Sequence, residues 1–68
     1  MDTLAANTGG KVRKLRKERG LYQHELAARA RVSTQTVRNL EKGRHVPETA
    51  TLAKIAGALD VSLADLFV

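Results

Sequence analysis

Gln35, Arg38, Asn39 and Lys42 carry the most pointed chemistry in this 68-residue sequence. Turned through 100° per residue from Val37, they share an arc of about 100° opposite it. A primary amide pairs a donor with an acceptor, and a guanidinium presents a planar fork of donors. Side chains of this kind, gathered on one face, suit hydrogen bonding to flat polar edges. An amide can hold adenine N6 and N7 together, a guanidinium can fork onto guanine O6 and N7, and the methyls of Thr34 and Thr36 can meet the thymine methyl. A merely solvated helix face is the competing reading, and what holds the segment decides between the two.

The spacing of apolar residues and turn signals predicts an all-α chain of five helices, with no strand, repeat or low-complexity stretch. Residues 1–9 are small and polar and are read as a frayed, flexible N-terminal arm, leaving 10–68 as one domain. The first helix is expected from about Gly10 to Arg19, with Val12 and Leu15 inward and Gly20 as its left-handed cap. The second spans Gln23–Ala30 and buries Leu26, Ala27 and Ala30. Ser33 has the hydroxyl of an N-cap for the third helix, which holds only Val37 and Leu40 inward and stops at Gly43. The fourth begins near Glu48 or Thr49 and places Leu52, Ile55, Ala56 and Leu59 at i, i+3, i+4 and i+7. Ser62 and Asp65 match the start signal of a short fifth helix, with Phe67 expected in the core. Only Arg31 and Val32 join helices two and three, so the two must cross steeply.

Charge is divided unevenly. Residues 1–47 carry a net +7 and residues 48–68 a net −2, giving the whole-chain +5. A one-signed field of this kind favours a polyanionic partner. Cysteine is absent, which excludes disulfides and thiolate chemistry and suits a reducing, cytoplasmic setting. No apolar run approaches a membrane span, and the start has no signal-peptide pattern. His24 and His45 stand alone, without a second ligand, a carboxylate pair, a nucleophile or a phosphate loop. No metal, cofactor or catalytic residue is therefore expected, and the chain is read as no enzyme.

With Leu26, Ala27, Ala30, Val32, Val37 and Leu40 locking two helices at a steep angle, the segment from Lys11 to Phe67 resembles the phage-repressor and Cro type of helix-turn-helix domain, also called the xenobiotic-response-element family. The match extends to Arg16, the Gly20-Leu21 turn, Gln23, Glu25-Leu26-Ala27, Leu40-Glu41-x-Gly43 and Leu59-x-Val61-Ser62. The resemblance implies a sequence-specific regulator of transcription, a repressor that inserts the start of the third helix into the major groove of double-stranded DNA. It implies Thr34, Gln35, Arg38 and Asn39 as base readers. It implies phosphate contacts from Lys42, Gly43 and Arg44, with Arg13 a further cation, and an ion pair between Arg16 and Glu41; Gln23 opens the second helix, where free N–H groups and the positive dipole end favour a phosphate as well. One such domain covers few base pairs, so a homodimer on paired half-sites is expected, with the apolar ending Leu66-Phe67-Val68 as its seam or as the junction to a longer protein. Three residues depart from the family's habit. Arg31 stands where a positive φ favours Gly, at about 1 kcal/mol. Tyr22 replaces a hydroxyl N-cap, and Glu48 replaces a frequent Ser. The alternative function is an antitoxin or adaptor-type protein-interaction module with weak or no DNA binding.

Overall fold

Four α-helices end in the same hydrogen-bonded turn, and those four turns shape the chain. The computed structural model describes residues 3–67. Helix α1 covers Thr3–Glu18, α2 Gln23–Ala30, α3 Thr34–Glu41 and α4 Thr49–Ala58, and a 3-10 helix covers Leu63–Phe67. After each α-helix one residue is left-handed: Gly20 at φ 68°, Arg31 at 58°, Gly43 at 71° and Asp60 at 60°. Its N–H returns to the carbonyl three residues back. The next N–H reaches five residues back, as in Val32 to Ala27 at 3.0 Å and Val61 to Ala56 at 3.0 Å. This double bond consumes carbonyls that a helix end otherwise leaves without partners. Glycine supplies the conformation at two of these places, and Arg31 and Asp60 adopt it against the steric preference of an L side chain.

The turns fold the helices onto one core: Val12, Leu26, Ala27, Ala30, Val37, Leu40, Leu52, Ile55, Ala56, Leu59 and Leu66. Helix α3 packs on α1 and α2, α2 also packs on α4, and the 3-10 helix closes against α1 and α4. The molecule measures 28 × 22 × 22 Å.

Three expectations need correction. The segment read as a loose arm is helical from Thr3, so α1 starts seven residues before Gly10; Met1 and Asp2 lie outside the described residues. Its inward positions are Ala5, Thr8, Gly9 and Val12, which have helical spacing, but three of them are too small or too polar to register as an apolar stripe. The fifth helix is a 3-10 helix of five residues, the form that short segments adopt. Ser62 and Asp65 do cap it: Ser62 N–H donates to Asp65 Oδ2 at 3.0 Å and Asp65 N–H to Ser62 Oγ at 3.3 Å. Phe67 is 46% exposed, whereas its neighbour Leu66 is buried. The tight 3-10 turn brings residues three apart onto one face, so Leu63 and Leu66 face inward together and Phe67 does not.

Candidate nucleic-acid interface

Helix α3 is anchored from within and left open outside. Ser33 Oγ accepts the Thr36 N–H at 3.0 Å and shares a 2.8 Å hydrogen bond with the Thr36 hydroxyl, which fixes the first turn. Thr36 is thus engaged in capping. Val37 and Leu40 are fully buried against α1 and α2, while Gln35 and Arg38 are exposed and Thr34 and Asn39 are half-buried. Entry to the helix is set by Arg31, whose φ of 58° and ψ of 43° turn the chain within three residues.

A buried polar cluster ties the far end of α3 to the rest. Arg16 Nε donates to Glu41 Oε2 at 2.7 Å, and a terminal guanidinium nitrogen donates to Oε1 at 3.0 Å. The other terminal nitrogen donates to the Leu21 carbonyl at 2.7 Å. Gln23 Nε2 donates to Glu41 Oε1 at 3.1 Å. One carboxylate thereby joins α1, the Gly20-Leu21 turn, the start of α2 and the end of α3. Hydrogen bonding to Glu41 holds the Arg16 guanidinium above its ordinary pKa, with burial acting the other way and the Coulombic attraction of Glu41 adding to the rise.

The Gln23 amide uses one of its two protons on Glu41, and its backbone N–H stands in the first turn of α2, where N–H groups lack a partner within the helix and favour an anion. The start of α2 is capped from one side only: Glu25 Oε1 accepts the Tyr22 N–H at 2.9 Å, and the Tyr22 side chain makes no cap hydrogen bond. Tyr22 instead stacks on His24, ring centroids 5.7 Å apart and planes at 9°. Both rings line an open pocket of about 310 Å³ together with Arg16, Gln23, Thr34 and Arg38. The fold therefore brings Gln23, Thr34 and Arg38 to one place. Sequence reasoning overlooked Tyr22 and His24 here; the available signal was their position on either side of Gln23 at a helix start.

Next to the pocket residues, Gln35 Nε2 donates to Asn39 Oδ1 at 2.9 Å. The donation leaves the Gln35 carbonyl and the Asn39 amide protons available as one coupled set of acceptor and donors. At the other end of α3, Lys42 and Arg44 are exposed, and Arg13 is exposed on α1. The backbone amides of this loop are already engaged: Lys42 N–H reaches Arg38 O at 3.0 Å, Gly43 N–H reaches Leu40 O at 3.0 Å and Arg44 N–H reaches Asn39 O at 3.3 Å. Gly43 accordingly has no free N–H for a phosphate, and its glycine is explained by the left-handed backbone at φ 71°. Among the described residues, no group of three or more His, Asp or Glu is placed to hold a metal ion, and no helix is long and apolar enough to cross a membrane.

The helix-turn-helix family model matches residues 12–66. A helix-turn-helix transcriptional regulator of Sinorhizobium fredii is 43% identical over 58 residues, 85% of this chain and 75% of that protein. The immunity repressor of Bacillus phage phi105 is 36% identical over 55 residues, 81% of this chain and 38% of the repressor. Among solved structures, the restriction-modification controller protein C.AhdI of Aeromonas hydrophila superposes with a TM-score of 0.89 at 30% identity, covering 93% of this chain and 96% of its own. The short connection between α2 and α3, an outward polar arc on α3 and these relatives lead to one conclusion: the chain belongs to the helix-turn-helix family of DNA-binding transcriptional regulators, of the phage-repressor and Cro type.

Proposed function

We propose that this regulator is a cytoplasmic repressor without enzymatic activity that occupies an operator as a homodimer, with α3 in the major groove of each half-site. The observation that carries the reading is the coupled Gln35–Asn39 pair beside exposed Arg38, on a helix whose opposite face is wholly buried. Gln35 and Asn39 read adenine edges, Arg38 reads guanine, and Thr34 lies at the groove floor. The side chains of Lys42, Arg44 and Arg13 and the backbone N–H at Gln23 neutralise or hydrogen-bond phosphates, which fixes register. Exposed Phe67 suits the seam between two copies, whose recognition helices would then sit about 34 Å apart.

Selection of bound duplexes from a random pool tests this directly. The expected result is a two-fold symmetric site whose half-sites lie one helical turn apart, with affinity falling log-linearly in salt at about −0.9 per phosphate contact. Recovery of no preferred sequence, or affinity indifferent to salt, would overturn the reading in favour of a protein-binding module.

A further inference from the structure

The first two turns of α1 precede the span that matches the family model, yet they pack on the end of α3. Gly9 lies directly against the Leu40 carbonyl. A methyl at Gly9 would collide with that oxygen and come within 3.1 Å of the Leu40 carbonyl carbon. One turn earlier, Ala6 lies over Gly43, where an added Cβ would be 2.9 Å from Ala6 Cα. Ala5 and Thr8 are fully buried beside these contacts. The close approach therefore occurs at two points, backbone against backbone.

The turn after α3 has a particular need for outside support. After α1, α2 and α4, the residue following the left-handed position is apolar and at least partly buried: Leu21, Val32 and Val61. Such a contact commonly fixes this type of turn. After α3 that place is taken by exposed Arg44, so the turn lacks its own apolar anchor. We propose that residues 5–9 supply the missing support, clamping the last turn of α3 and the Lys42–Arg44 loop, and so act as positioning residues for DNA binding. The proposal rests on the reading of Lys42 and Arg44 as phosphate contacts.

The test compares the salt dependence of operator binding for the wild type, Lys42→Ala, Arg44→Ala, Gly9→Ala and Ala5→Gly, each well below its melting temperature. Gly9→Ala forces α1 away from α3, and Ala5→Gly loosens the same contact without adding a collision. Expected for Gly9→Ala are a salt slope shallower by about 1 and a roughly tenfold loss of affinity, with base preference unchanged because phosphate contacts carry no sequence information. Ala5→Gly should shift the slope in the same direction by less. A folded Gly9→Ala and a folded Ala5→Gly that both keep the wild-type slope overturn the clamp alone, provided that Lys42→Ala and Arg44→Ala lower it. If those two leave the slope unchanged, the reading of the loop fails and the clamp falls with it.

Discussion

Removing one partner of the Arg16–Glu41 pair is expected to harm the fold more than removing both. The Arg16 side chain is 10% exposed and that of Glu41 4%, so neither finds much water once its partner is gone. In Glu41→Ala the guanidinium keeps its bond to the Leu21 carbonyl and loses both bonds to the carboxylate, and the Gln23 amide loses its acceptor as well. Breaking a buried pair from one side costs about 3–5 kcal/mol. A domain of this length has a total stability of about 3–10 kcal/mol. The single variant therefore stands near the unfolding threshold, and at about 4–8 °C per kcal/mol its melting temperature should fall by at least about 12 °C. The double variant Arg16→Met, Glu41→Leu removes both charges and replaces them with apolar volume. Its remaining cost is the unpaired Leu21 carbonyl and Gln23 amide, about 1–3 kcal/mol for each polar group that stays buried, and less where water reaches it. Urea unfolding followed by circular dichroism measures all three differences. A double variant as unstable as Glu41→Ala, or more so, would refute the reasoning. The pH dependence has a definite sign. Arg16 is raised in the folded state, so its contribution is complete below the unfolded-state pKa and disappears only as pH rises through the higher folded value. The stability gap between wild type and Arg16→Met should therefore not close through Arg16 deprotonation between neutrality and about pH 10.

Three smaller perturbations test other parts of the structure. Arg31→Gly relieves a left-handed backbone at φ 58° and should stabilise by about 1 kcal/mol, raising the melting temperature; a fall would show that the Arg31 side chain contributes more than its backbone costs. Thr8→Val should also raise the melting temperature, because the Thr8 hydroxyl is fully buried and its oxygen has no hydrogen-bond partner, at a cost of about 1–3 kcal/mol. A less stable Thr8→Val would mean that the hydroxyl is satisfied in solution. Gln35→Ala and Asn39→Ala should each cost about 1–3 kcal/mol of operator discrimination, and the double variant should cost at least about 0.5 kcal/mol less than their sum, because Gln35 orients Asn39. Additive losses in a binding cycle would show that the two amides act independently.

How far the sequence disclosed all this depended on how many partners each residue type can take. Leu52, Ile55 and Leu59 have one thing to do, which is to leave water, so their spacing alone identified the buried face of α4. Ser33 and the glycines at 20 and 43 act within a few residues of themselves, and the turns that they cap were legible for that reason. Arg31 was legible as strained by the same logic, since a turn this short demands a left-handed residue whichever side chain stands there. The side-chain partner of Gln23 was not. Its amide can donate to a phosphate or to a carboxylate, and only the folded path of α1 and α3 brings Glu41 within 3.1 Å. Gly9 was misread for a related reason: at the end of a small, polar stretch it suggests a loose chain, whereas its lack of a side chain is what lets α1 lie against the Leu40 carbonyl. The polar surface of α3 sits between these extremes. Helical geometry fixes which side chains share its outer arc, but the Gln35–Asn39 bond also links two of them into a single recognition unit, so a change at either position alters what the other presents.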